Sequence, residues 1–100
     1  MDRKKDFQAV IAAIRADTGK EFPKAMMNSR QEMNGTATVN CGGEWGTPSS
    51  TSRMAENIMA DERFQAFLER QEGTAEVEKI GAAYPFYQIR ITFKRRENHE

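Results

Sequence analysis

The chain has 100 residues, of which 38% are hydrophobic and 30% charged, and its mean hydropathy is −0.78. Its 15 basic and 15 acidic residues cancel, which excludes a protein that coats nucleic acid by bulk charge. The longest apolar run, residues 9–14, is too short for a membrane-spanning helix of about 20 residues. The length fits one domain, which we expect over residues 1–96, with a flexible tail at 97–100.

The first segment has the apolar spacing of an amphipathic helix. Asp2 and Asp6 lie at its start, where the helix dipole favours negative charge, and Gly19 is a natural stop. The pattern therefore predicts a helix over residues 3–18. The residues of its apolar face are Phe7, Val10, Ile11 and Ile14.

The next segment carries weaker signals. Pro23 breaks any continuing helix, and residues 24–32 leave room for a short helical turn. Methionine more commonly fills gaps in a core, and the methionines at 26 and 27 are among the candidates for exposure. Asn34-Gly35 marks a turn. Residues 36–41 then alternate polar with apolar, which predicts a strand. The side chains on its apolar face are Ala37, Val39 and Cys41.

Cys41 is the one cysteine, so no internal disulfide can form. Small proteins of oxidising compartments are usually cross-linked by disulfides. The charged start of the chain is followed by a short apolar stretch that Arg15 interrupts, and no small-residue cleavage site follows. We therefore expect a cytoplasmic protein in which Cys41 is a small buried hydrophobe and not a reactive thiol.

A glycine-rich loop follows the predicted strand and leads into a helix. Backbone N–H groups at a helix start attract anions, so a phosphate or nucleotide site is one hypothesis. Neither nucleotide-binding glycine motif is present, and Glu44 would repel an anion. A surface loop with a hydroxyl cap is the favoured interpretation. The candidate phosphate residues are Gly42, Gly43, Gly46, Ser50 and Ser52.

Trp45 lies between glycines in this loop, where burial is hard to arrange. Exposed tryptophan is enriched among the residues that dominate protein interfaces. The competing interpretation is that Trp45 folds back and covers the edge of the core. Both interpretations remain open at this point.

A second helix is predicted to start between residues 48 and 52. Asp61 falls within its apolar face and Met59 falls off it, which predicts a break near Ala60-Asp61. Asp61 would then cap a further short helix that reaches Gln71 and stops at Gly73. The apolar face comprises Met54, Ile58, Phe64, Phe67 and Leu68.

The C-terminal quarter has the pattern of a hairpin. Residues 75–82 form its first predicted strand, and residues 83–86 form the connection. Residues 87–93 alternate strictly, which is a strong strand signal and implies that one face of the sheet is solvated or free for a partner. The apolar side of this strand consists of Tyr87, Ile89, Ile91 and Phe93.

A basic stripe lies on the polar side of that last strand. Such a stripe suits a phosphate backbone, so a nucleic-acid-binding regulator is an alternative function. Glu76 and Glu78 are expected across from Thr92 and Lys94, and cross-strand ion pairing is the favoured interpretation. The candidate nucleic-acid-binding residues are Arg90, Lys94, Arg95 and Arg96.

These elements occur in the order α-β-α(α)-β-β. They predict an α+β fold, with a small three-stranded, largely antiparallel sheet and two or three helices on one face. With one Cys and one His, the chain lacks the spacing of a zinc site, and no acid–base pair for catalysis is visible. We expect no enzyme activity, no metal and no cofactor.

The main functional hypothesis is a non-enzymatic binding protein that regulates or inhibits a macromolecular partner by surface contact. The short, neutral, motif-poor profile is typical of accessory proteins of phages and plasmids. We expect a protein partner and no membrane, and a homodimer formed through an exposed strand edge stays open. The candidate partner-binding residues are Glu44, Trp45, Met59, Gln88, Arg90 and Thr92.

Overall fold

The chain forms an α+β fold of three helices and one four-stranded antiparallel sheet, in a computed structural model that describes residues 2–22, 26–31, 35–42, 48–81 and 86–94. None of the helices in these ranges is both long enough and apolar enough to cross a membrane. In chain order the elements are α1 (Arg3–Glu21), β1 (Met26–Gln31), β2 (Thr36–Gly42), α2 (Pro48–Ala60), α3 (Glu62–Arg70), β3 (Gly73–Ile80) and β4 (Phe86–Phe93).

The expected fold class is confirmed, but the sheet has four strands where three were predicted. The additional strand is β1, which replaces the helical turn predicted within residues 24–32. Backbone pairing with β2 stabilises β1 along its whole length, from Met26 opposite Gly42 to Gln31 opposite Ala37. Because β1 is an edge strand with few buried side chains, its sequence lacks the apolar alternation that marks a strand. Met27, one of the candidates for exposure, is buried on the helix side of β1, which is the commoner role of methionine.

The sheet has the strand order β1-β2-β4-β3, so β2 and β4 are the central strands. Residues that lie opposite each other in an antiparallel pair point to the same face. The register therefore places the odd-numbered residues of all four strands on the face that the helices cover. The buried members of this set on the central strands are Ala37, Val39, Cys41, Ile89, Ile91 and Phe93.

The helices complete a single core above this face. Helix α2 lies across β2 and β4, while α1 lies towards β1 and α3 towards β3. The predicted apolar faces of all three helices are buried. Phe67 is at the centre, with ring centroids 5.7 Å from Phe7 and 5.9 Å from Phe93. Helix α1 continues past Gly19 to Glu21, and the buried Phe22 donates its backbone N–H to the Thr18 carbonyl.

The break between α2 and α3 lies where the sequence predicted it. Asp61 has an extended backbone, and its Oδ1 accepts from the backbone N–H groups of Arg63 at 2.8 Å and Phe64 at 3.4 Å. This N-cap allows α3 to start in a new direction, so Phe64 and Ile58 both reach the core. The break explains how one apolar pattern interrupted by an aspartate produces two helices.

The hairpin of β3 and β4 forms with a different register from the predicted one. Glu76 lies opposite Arg90, and Glu78 lies opposite Gln88, where Thr92 and Lys94 were expected. The reason is the position of the connection: pairing ends with Ile80 opposite Phe86, whereas residues 83–86 were predicted to connect the strands. β3 also begins at Gly73, two residues earlier than predicted, and Glu72 before it adopts the left-handed region (φ 55°).

Candidate functional site

The candidate site is the face of the sheet that the helices leave uncovered, which we call the open face. Even-numbered residues of the strands point to it. Register aligns most of them in three rows that run across the sheet, and every side chain in these rows is polar. Gly42, Phe86 and Ile80 lie on the same face beyond the last of these rows. The rows are Thr36–Thr92–Thr74, Arg30–Thr38–Arg90–Glu76 and Asn28–Asn40–Gln88–Glu78.

Hydrogen bonds within the rows and between them hold several of these side chains in place. Gln88 Nε2 donates to Asn40 Oδ1 at 2.9 Å, between the two central strands. Arg90 Nη2 donates to Glu78 Oε1 at 3.1 Å, in a salt bridge whose two side chains are both about half exposed. The three rows contain amides, hydroxyls and charges, so they suit hydrogen bonding and ion pairing. Phe86, which is partly exposed, is the aromatic residue on this face among the described residues, and it lies outside the three rows.

The structure brings together three of the predicted partner-binding residues. Gln88, Arg90 and Thr92 lie on the open face of β4, one in each polar row, and Arg90 and Thr92 are exposed. Met59 lies on the helix side of the sheet, where it is half-buried against the core. Met59 and the β4 residues therefore do not form one continuous patch. Glu44 and Trp45 fall outside the described residues.

The two described members of the candidate nucleic-acid stripe each lie near a carboxylate. Arg90 pairs with Glu78, and Lys94 Nζ lies 4.0 Å from Glu72 Oε2. Cross-strand ion pairing was the favoured interpretation of this stripe, and the Arg90–Glu78 bridge has that character. Residues 95 and 96, the other two members of the stripe, lie outside the described part of the chain.

Gly42, the first of the candidate phosphate residues, has a packing role. A Cβ at this position would lie 2.5 Å from Phe86 Cβ, which is closer than real side chains approach. Phe86 therefore occupies the space that glycine leaves, which accounts for the missing side chain without a ligand. Ser52 is half-buried within α2. Residues 43 and 46 and the side chain of residue 50 are outside the described set.

A buried ionic cluster links α1 to α3, and the sequence gives no sign of it because its members are far apart in the chain. Asp6 is only 3% exposed. Its Oδ1 and Oδ2 accept from Arg70 at 2.7 and 3.1 Å, and Oδ2 also accepts from Gln71 Nε2 at 2.9 Å. The Arg70 hydrogen bonds lower the pKa of Asp6, and this effect outweighs burial, which raises it. The cluster joins two helices and has a structural role.

Sequence reasoning also missed a groove on the helix side of the sheet, between α2 and β3. Val77 lies in this groove and is 42% exposed, the one exposed large hydrophobic side chain among the described residues. The alternation of β3 is weak, so the sequence did not show which of its residues would lack cover. We call this feature the β3 groove; it is lined by Ser52, Glu56, Met59, Ala60, Val77 and Tyr87.

Cys41 lies on β2 and is fully buried, as expected. Burial raises the pKa of its thiol to about 12, so the thiolate that reacts with electrophiles is scarce at neutral pH.

Within the described ranges, no group of three or more His, Cys, Asp and Glu side chains is arranged to hold a metal ion. Comparison of the chain with protein-family models, with curated proteins and with solved structures finds no match.

Proposed function

We propose that this chain is a non-enzymatic binding protein that regulates or inhibits a protein partner, and that the open face of its sheet is the contact surface. The observation that supports the proposal is the set of polar rows on β2 and β4, in which side chains are held by hydrogen bonds such as Gln88–Asn40. Side chains that are already ordered lose less conformational entropy on binding. A rigid polar surface of this kind favours specific recognition.

The charges of the open face favour a protein over a nucleic acid as the partner. Glu76 and Glu78 adjoin Arg90 on this face, so a phosphate backbone would meet carboxylates next to the arginine. A protein surface can supply both donors and acceptors to such a mixed pattern. The cytoplasm is the proposed compartment, since Cys41 is a free thiol.

The proposal is tested by affinity capture from a cell lysate, with and without nuclease. The test variant is Gln88→Ala/Arg90→Ala on the open face. The matched control is Lys5→Ala/Gln8→Ala, which removes the same types of group from the exposed side of α1. We expect a captured protein that resists nuclease, is lost with the test variant and is retained by the control.

Two results would contradict the proposal. Equal capture by both variants would show that the open face is not the contact surface. Loss of the captured material on nuclease treatment would favour the alternative nucleic-acid function, whose binding should then fall steeply as salt rises, because each phosphate contact releases counterions.

A further inference from the structure

Strand β3 has one unpaired edge. It pairs with β4 over all eight residues from Gly73 to Ile80. On its other side, no strand pairs with β3 within the part of the chain that the structure describes. An edge of this kind presents backbone N–H and C=O groups that can form hydrogen bonds with another extended chain. Between Gly73 and Ile80 there is no proline, and the register has no bulge, so two common obstacles to strand pairing are missing from this edge. Its protection consists of charged side chains, which select the partner by charge.

The side chains on the two sides of this edge differ in chemistry. On the helix side, Val77 is exposed beside Met59 in the β3 groove. On the open face, Glu76 and Glu78 flank Val77 in sequence and are both exposed. A strand added at this edge would therefore meet carboxylates with one set of alternate side chains and an apolar surface with the other set. Such a strand would also contact both Met59 and the margin of the open face, which lie on opposite sides of the sheet.

We propose that β3 binds an extended segment of the partner protein as a fifth, antiparallel strand, and that this segment has the pattern basic–aliphatic–basic. The aliphatic residue lies opposite Val77 and enters the β3 groove, while the two basic residues lie opposite Glu76 and Glu78. Lys79 extends this charge pattern, because an acidic residue of the partner segment that lies opposite Lys79 would complement its charge. The inference rests on the proposed function in one respect, that the partner is a protein, and it adds a second contact surface to the open face.

A second copy of this chain fits the edge poorly. In a dimer, two β3 strands would pair antiparallel about a two-fold axis, with the helices of both copies on the same side of the joined sheet. Even-numbered residues of one copy then lie opposite even-numbered residues of the other. The two such registers with the longest overlap place Glu76 opposite Glu76, or Glu76 opposite Glu78, of the second copy. Like charges directly opposite each other destabilise a strand pair. The glutamates thus disfavour self-association and favour a basic partner segment.

The test uses a synthetic peptide, acetyl-Asp-Lys-Val-Arg-Val-Thr-amide, added to the ¹⁵N-labelled full chain and followed by NMR. We expect amide shifts concentrated in β3 and in the residues of the β3 groove. A control peptide with Glu in place of Lys and Arg should not bind. In an added strand, alternate backbone N–H groups point towards β3 and the others point away from it. N-methylation removes a backbone donor, so a peptide methylated at both valines is compared with a peptide methylated at Lys and Arg. One of these two modifications should abolish binding, and the other should leave it intact.

Variants of the protein provide the second part of the test. Glu76→Gln/Glu78→Gln should weaken peptide binding about five- to tenfold, as expected for two partly exposed ion pairs. The matched control Glu62→Gln/Glu69→Gln, which removes the same charge from the exposed side of α3, should change the affinity less than twofold.

Several outcomes would overturn the inference. The first is that the peptide does not bind at millimolar concentration. The second is that the control peptide with Glu binds as tightly as the basic peptide. The third is that neither N-methylated peptide differs in affinity from the unmodified one. A dimer in sedimentation experiments, with shifts in β3, would assign the edge to a second copy. If the peptide tests fail while the partner is still captured through the open face, the proposed function is retained and strand addition at β3 is rejected.

Discussion

The ionic cluster of Asp6, Arg70 and Gln71 makes the most direct prediction about stability. Replacing Asp6 with alanine removes the acceptor of three hydrogen bonds that join α1 to α3. Arg70 is 46% exposed in its side chain and can recover hydration, but the buried Gln71 loses its hydrogen bond to the Asp6 carboxylate. A hydrogen bond to a charged group contributes about 1.5–3 kcal/mol. We therefore expect Asp6→Ala to lower the free energy of unfolding by about 2 kcal/mol.

The measurement is urea and thermal unfolding followed by circular dichroism. A loss of about 2 kcal/mol corresponds to a fall in Tm of roughly 10 °C for a domain of this size. The control is Asp17→Ala, also on α1, whose carboxylate is exposed and pairs with Arg63 at 2.8 Å. Water screens that ion pair, so its loss should have a much smaller effect. Equal effects of the two variants would refute the view that burial gives the Asp6 cluster its importance.

The same cluster predicts how stability depends on pH. The pKa of Asp6 is lower in the folded protein than its ordinary value of 3.8, because of the hydrogen bonds from Arg70. As the pH falls below this ordinary value, the unfolded chain binds a proton before the folded protein does, which favours unfolding. The stabilisation is therefore complete at neutral pH and is lost as the pH falls through the folded pKa. The difference in stability between Asp6→Asn and the natural chain should shrink over that range; a difference that is constant with pH would contradict this assignment.

Two further predictions concern Gly42 and Cys41. Gly42→Ala should destabilise the fold by about 1–3 kcal/mol, because its Cβ would clash with Phe86 Cβ, whereas Gly19→Ala in α1 has open space and should stabilise it by up to about 1 kcal/mol. A neutral Gly42→Ala variant in urea unfolding would contradict the packing role. Cys41 should react slowly with a maleimide in the native protein at pH 7 and rapidly in urea, because its thiol is buried and its pKa is raised to about 12. Fast labelling of the native protein would show that β2 is accessible.

The elements with strong periodicity were predictable because their side chains alone specify which face is buried. The alternation of β4 and the helical spacing of Phe7 and Ile14 are of this kind, and Asp61 identified the break between α2 and α3 through its capping chemistry. β1 was not predictable in this way. Its stability depends on backbone pairing with β2, which is independent of the side-chain pattern.

The candidate site was predictable only in part, because it depends on which strands become neighbours. The alternation of β4 placed Gln88, Arg90 and Thr92 on one face correctly. The partners of these residues come from β2 and β3, and Asn40 is 48 residues from Gln88 in the chain. The wrong register of Glu76 and Glu78 arose from the predicted position of the connection at residues 83–86, since pairing ends with Ile80 opposite Phe86. A small error in the position of a turn changes every cross-strand pair.

The position of β4 in the sheet constrains the order of folding events. β4 follows β3 in the chain, yet it lies between β2 and β3 and pairs with both. While the chain emerges from a ribosome, β2 and β3 therefore have no common neighbour until residues 86–93 are available. Closure of the sheet then joins segments that are distant in sequence, and such contacts slow folding. Until then, β3 and one edge of β2 lack the strand that covers them in the folded sheet, and unpaired edges of this kind are prone to intermolecular pairing.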